Sequence, residues 1–157
     1  MMPSHNRPTC LAFLGLTLWF LMIPWGSSFG QELSQYGNPF TSVTLGAVAV
    51  QAEVVKTPDK LYLGLGNRQE LPEGRGMLFI MPRMQVQGFC MRDMHFPLDI
   101  IWIAYGKVAG IAKQVPHEDQ RQSFNSPVPV NYVLEVPAGF CDKYGIKVND
   151  PVTFELP

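Results

Sequence analysis

The sequence predicts an α+β domain, predominantly β: a small, partly closed, barrel-like sheet carrying two short helices. Three observations predict it. Short apolar segments alternating with period two recur along the chain, as half-buried strands require. Gly and Pro, 14 of each, are scattered at short intervals rather than gathered in a tract, so they read as turns. Only two stretches carry helix signals, and each is about two turns long or less by that reading.

At 157 residues the chain has room for one ordinary domain, and 46% hydrophobic against 16% charged residues describes a core-forming protein. No internal repeat is present. The domain is expected over residues 46–157, after a leader at 1–30 and a flexible, polar lead-in at 31–45 that carries Gly37-Asn38-Pro39.

The leader begins with Arg7, runs apolar from Leu11 to Ile23, breaks at Pro24 and ends on Ser28-Phe29-Gly30. That is the pattern of a secretory signal, with cleavage before Gln31. The apolar run falls short of the roughly 20 residues that cross a bilayer as a helix, so a retained anchor is the weaker alternative, and no stable membrane span is expected after cleavage. The expected location is periplasmic or secreted. Cys10 precedes the apolar run and is not placed as a lipoprotein cysteine.

Within the domain, Val48, Val50, Ala52 and Val54 alternate against Gln51 and Glu53, one half-buried strand. Thr57-Pro58-Asp59 starts a helix, with Thr57 as N-cap, Pro58 at the first turn and Asp59 at the positive end; Leu61, Tyr62 and Leu65 share a face, and Gly66 closes it in a left-handed conformation. Strands follow over Met77–Met81, Gln85–Asp93 and Leu98–Ile103, the last with Leu98, Ile100 and Trp102 facing one way and Asp99, Ile101 and Ile103 the other. Tyr105-Gly106-Lys107 turns the chain into a hairpin partner at Val108–Lys113. After a long polar loop from Pro116 to Pro129 come a strand at Asn131–Val136, a short helix from Ala138 to Tyr144 stopped by Gly145, and a last strand over Lys147–Glu155.

Charge excludes some partners. With 12 basic and 13 acidic residues the net charge is −1, and loss of Arg7 with the leader makes it −2, so neither nucleic acid nor an anionic membrane is an expected partner. Phosphate loops, GxSxG elbows, HExxH and CxxC pairs are all absent from the sequence. A monomer without a cofactor is expected.

The informative residues are charges inside apolar, strand-like sequence, where they cost free energy unless paired or facing a site. Arg68, Arg92, Asp93, Asp99 and Glu135 form the candidate set. On a barrel-like sheet they would converge on one mouth, with Arg holding a carboxylate or phosphate and the acids accepting hydrogen bonds. The alternative for the same residues is a buried Arg–Asp network that fixes strand register.

A soft-ligand set, Cys90, Met94 and His95 among the methionines Met77, Met81, Met84 and Met91, would suit Cu(I) in an exported protein, although methionines filling a core are the preferred reading. Cys90 and Cys141 are the only cysteines after the leader. They would close a loop of about 50 residues if they paired, or else are small buried apolar residues. A Cys90 nucleophile with His95 or His117 has little support, and His117-Glu118-Asp119 reads as solvated loop.

In this order, Gly76-Met77-Leu78-Phe79, Met91 followed by a basic residue, Pro97-Leu98-Asp99-Ile100, Tyr132-Val133-Leu134-Glu135, Ala138-Gly139 and Gly145-Ile146-Lys147-Val148 resemble the DUF192 family, as does the opening Thr57-Pro58 through Gly64-Leu65, Arg68 and Leu71-Pro72. The resemblance spans roughly Val48 to Phe154. It implies a small, mostly β domain, often exported in bacteria, with no established reaction. Two departures stand out: Phe89-Cys90-Met91-Arg92-Asp93-Met94 occupies the place of Phe-Trp-Met-Lys-Asn-Thr, and Gly64-Leu65-Gly66 that of Gly-Leu-Met.

The leading expectation is therefore a non-enzymatic exported binding domain with a small polar cleft for a small molecule or peptide end. Its alternatives are an envelope-acting hydrolase using Asp93 or Asp99 as general base, and a periplasmic Cu(I)-binding protein.

Overall fold

The computed structural model describes residues 32–118 and 120–157; the leader and Asp119 lie outside the described residues. Chain order is β1 (Phe40–Leu45), β2 (Val48–Val55), α1 (Pro58–Leu63), β3 (Arg75–Gln85), β4 (Gly88–Phe89), β5 (Leu98–Ala104), β6 (Lys107–Val115), β7 (Phe124–Asn125), β8 (Val130–Pro137), α2 (Phe140–Tyr144) and β9 (Val152–Thr153). Seven strands form one sheet in the order β6-β5-β8-β3-β2-β1-β9, and β4 pairs with β7 apart from it. The result is the predicted class, mostly β with two short helices and a sheet curled into a half-barrel.

All neighbours in the large sheet are antiparallel except β2 and β3. That parallel pair needs a crossover, which α1 and the segment after it supply. Closure comes from the far ends: a bridge joins Lys107 to Pro151, and the Val152 amide donates to the Gly106 carbonyl at 2.8 Å. These bonds tie the β5–β6 hairpin to the last strand and roll the sheet.

Both faces of the central strands are covered, so β5 is buried at every residue. The inner face holds Val50, Leu78, Ile101, Ile103 and Leu134, capped by Phe140 and Cys141 of α2. The outer face holds Met77, Phe79, Ile100, Trp102 and Val133, covered by Leu65, Met91 and Met94 from the segments after α1 and β4. Each such aliphatic side chain contributes about 1.5–3 kcal/mol by leaving water. The predicted alternation of Leu98, Ile100 and Trp102 against Ile101 and Ile103 is what sends these residues to the two cores.

Several expectations change. The lead-in is strand from Phe40 onward, because Val43 and Leu45 alternate inward and pair with Val50 and Val48 of β2. Beyond Gln85, which ends β3, Gln85–Asp93 is strand only at Gly88–Phe89 and turns at Arg92–Asp93, and the closing strand is only Val152–Thr153, after a turn at Val148–Asn149. Helix α1 starts at Pro58 as predicted, but Thr57 caps it without a side-chain hydrogen bond, and Gly64 rather than Gly66 takes the positive φ of 52° that ends it. Gly66 is needed for a different reason. A Cβ there would stand 2.9 Å from the Leu63 carbonyl oxygen. Helix α2 ends at Gly145 in the left-handed conformation, as the sequence indicates. Among the described residues no helix is long and apolar enough to cross a membrane.

Candidate functional site

The outer face carries a lateral row set by strand register: Glu53 of β2 beside Met77 of β3, Met77 beside Glu135 of β8, and Glu135 beside Ile100 of β5. At strand spacings near 4.8 Å, the two glutamates originate roughly 10 Å apart. Their surroundings differ sharply.

Glu53 is fully engaged. Arg68, from the segment after α1, donates from Nη1 to Oε1 at 2.5 Å and from Nη2 to Oε2 at 2.9 Å, a bidentate pair with both side chains buried. The Asn38 amide at 2.8 Å and the Ser34 hydroxyl at 2.9 Å also donate to Oε2. Burial raises the Glu53 carboxyl, but the bonds from Arg68, Asn38 and Ser34 and the Arg68 charge outweigh it, leaving the carboxyl below its ordinary range. The Tyr36 ring closes over the guanidinium, 3.8 Å from its carbon to the ring centre.

Glu135 is only 5% exposed, and its carboxyl has no hydrogen bond to the described residues. Burial pushes it up to about 8, with the Arg68 charge pulling the other way, so at neutral pH it is largely protonated. It lies on a cleft of about 250 Å³ between α1 and the segment around β4. The walls are apolar, from Leu61, Leu65, Phe79, Met81, Phe89 and Met94, and the polar edge is Tyr62, Cys90 and Arg92. Phe79 and Phe89 meet edge to face with ring centres 5.0 Å apart.

A second, larger cleft of about 600 Å³ has Arg68 and Glu53 beneath Tyr36, Gln35 and Glu70. Size does not make it the better site. Its buried charges already satisfy one another, which is the register-fixing network the sequence offered as an alternative.

The predicted set is therefore divided. Arg68 and Glu135 belong to the row, and Arg92 reaches the rim of the Glu135 cleft, where it donates to the Tyr62 carbonyl at 2.9 Å and stacks on the Tyr62 ring at 3.9 Å. Asp93 is exposed, 3.9 Å from Arg92 Nε, and holds a positive φ of 57°. Asp99 points to the inner face and is fully buried. Its carboxylate accepts from three backbone amides, Gln114 at 2.7 Å, Gly139 at 3.1 Å and Cys141 at 2.8 Å, and so pins β6 and the start of α2 to β5. Asp93 and Asp99 share no cavity, so the geometry offers them no common hydrolytic role.

The soft-ligand set is brought together only in part: Cys90 and Met94 both line the Glu135 cleft, whereas His95 is exposed and is not among the residues lining it. No group of three or more His, Cys, Asp or Glu among the described residues could hold a metal. The Cys90–Cys141 pairing is corrected. Both thiols are free, Cys141 lying in the inner core and Cys90 on the outer-face cleft, with the sheet between them. Sequence reasoning missed Glu53, Ser34, Asn38 and Tyr36. Glu53 reads as the outward side of a half-buried strand, and only the covering segment after α1 makes that side an interior.

Comparison with known proteins now decides the family. The model for DUF192, described as Uncharacterized ACR, matches residues 41–154, nearly the whole described chain. The chain belongs to the DUF192 family. Among solved structures, this DUF192 domain is similar to a protein of unknown function from Novosphingobium aromaticivorans DSM 12444, at 26% identity and a TM-score of 0.74, covering 80% of this chain and 94% of that one. It is also similar to a protein from Sinorhizobium meliloti 1021 described as a candidate transcription regulator, at 26% identity and a TM-score of 0.66, covering 73% and 92%. No curated protein matches it significantly. Of the departures the sequence showed, Cys90, Arg92 and Met94 line the wall and rim of the Glu135 cleft.

Proposed function

We propose that this DUF192 protein is an exported, non-enzymatic binding domain whose ligand, a small molecule or peptide end, seats in the cleft over Glu135 with Arg92 at its rim. One observation carries the reading. A carboxyl that is only 5% exposed and has no hydrogen bond to the described residues faces an open, apolar-walled cleft, where it carries a desolvation cost that a donor group on a ligand relieves. Apolar walls with one convergent polar group are the usual make-up of a small-molecule site. Export rests on the leader pattern, and the non-enzymatic reading on Asp93 and Asp99, the two acids suited to a general base, lying apart, one exposed and one held by three backbone amides.

The test is nuclear magnetic resonance of protein expressed from the full sequence in an exporting bacterial host, titrated with small amides, acids and amines. Amide shifts should concentrate at Gly64, Leu65, Phe89, Cys90 and Arg92. Shifts confined to Tyr36, Arg68 and Glu70, or none with any probe, would overturn the assignment of this cleft.

A further inference from the structure

Three ionisable groups bear on the outer-face row, and only two of them are paired. Glu53 and Glu135 are two acids, while Arg68 is one base, and both its terminal nitrogens are used on Glu53. Its charge reaches Glu135 but no hydrogen bond does. The register neighbours of Glu135, Met77 and Ile100, do not titrate, and the other titratable groups facing the cleft are Tyr62, Cys90 and Arg92. Arg92 is the cation nearest the mouth, and it is turned onto the Tyr62 ring and carbonyl, with Asp93 beside it. Glu135 therefore lacks a cation.

Resting on the binding-cleft reading, we propose that the ligand is a primary ammonium group on an apolar body, which pairs with Glu135 while the body lies against Phe79, Phe89 and Leu65. An ammonium supplies what the row lacks: positive charge, and N–H donors for two carboxylate oxygens. Aromatic faces beside a carboxylate further favour a cation over a neutral amide. The exchange balances. The Glu135 carboxylic acid gives its proton to the buffer, the incoming ammonium keeps its three, and a carboxylate–ammonium pair replaces the neutral acid.

Proton release is the signature. Below the Glu135 pKa of about 8, affinity should rise about tenfold per pH unit; above it, affinity levels off for an alkylamine that stays protonated and falls for a peptide amino terminus, which loses its own proton near pH 8. Calorimetry at pH 7 in two buffers of different ionisation enthalpy reads the protons released. Two amines distinguish the sources of the group: phenethylamine stands for a free amine, and a phenylalanyl dipeptide amide for a peptide amino terminus. The neutral probe is 3-phenylpropanamide.

For the natural protein, release of nearly one proton per phenethylamine bound is expected, and a smaller release for the peptide amide, whose amino group is partly neutral at pH 7, with the tighter of the two amines naming the source. Glu135→Gln, which keeps the side-chain shape, should lose amine affinity by at least thirtyfold and bind the neutral amide at least as well. If the amide binds the natural protein as well as either amine and no proton is released, the ammonium inference fails while the cleft reading stands. If no probe binds and no resonance in the cleft moves, both fail. An amine that binds Glu135→Gln unchanged overturns the inference alone.

Discussion

Glu53 and Glu135 flank Met77 on one face of the sheet, and Arg68 is hydrogen-bonded to the first while the second feels only its charge. The asymmetry follows from where α1 ends. The segment after it delivers the guanidinium onto the β2 side of the row, where Ser34 and Asn38 of the preceding turn complete the shell around Glu53. Glu135 is left at the cleft on the other side. One acid holds the fold together, and the other works against it.

Removing Arg68 should be severe. Arg68→Met leaves Glu53 buried with only two neutral donors, and the expected loss is about 3–5 kcal/mol in chemical denaturation. The double variant Glu53→Gln with Arg68→Met should recover much of that, because no uncompensated charge remains. A single variant no worse than the double would show that the pair is not coupled.

Glu135 should behave in the opposite sense. Its carboxyl is raised from an ordinary value of 4.5 to about 8, so between those values the folded state binds more protons than the unfolded one, and stability falls as pH rises. Below pH 4.5 both states are protonated and the effect vanishes; above about 8 it is complete. Glu135→Gln should thus match the natural protein near pH 4 and exceed it by about 4–5 kcal/mol at pH 8.5. Glu53 runs the other way: its lowered carboxyl stabilises the fold above the ordinary value, and that contribution disappears as pH falls through the folded pKa. Urea midpoints from pH 4 to 8.5 for the natural protein and Glu135→Gln check the first sign, and midpoints below pH 4.5 for Glu135→Gln with and without Glu53→Gln check the second.

Much of this architecture is legible in sequence. Alternation in Leu98–Ile103 and in Val48–Val54 places the strands, and Gly145 and Pro58 mark helix ends where they occur. What alternation does not tell is which side of a strand meets water. Glu53 and Gln51 share a side by period, yet Gln51 is exposed and Glu53 is buried under a segment that returns from α1. Asp99 looks like a site residue because a buried charge in a strand demands partners, but its partners are backbone amides of β6 and α2, which no side-chain pattern reveals. Phe40–Leu45 is hidden among polar residues because its outward positions are Ser42 and Thr44, which break up the apolar pattern although Thr itself favours strands.

Asp99 therefore tests structure rather than binding. Asp99→Ala removes the acceptor of three backbone amides in a dry interior, at an expected loss of about 2–4 kcal/mol. Arg92→Ala breaks an exposed pair with Asp93 and should change stability by less than about 0.5 kcal/mol. Differential scanning calorimetry of the two variants separates them, and equal losses would contradict this division of roles.

The two described cysteines make a final contrast. Cys90 is exposed beside the cleft, whereas Cys141 sits in the inner core, where burial and then the neighbouring Asp99 charge push its thiol well above the ordinary range. A thiolate is the reactive form, so native protein treated with Ellman's reagent at pH 8 should show one fast thiol at Cys90. Cys141 should react only as the protein opens, and in increasing urea its rate reports the free energy of that opening. Cys90→Ser should abolish the fast phase and leave the slow one. A two-hydrogen mass deficit in the untreated monomer would mean that the cysteines had paired, and the sheet could not then lie between them as described.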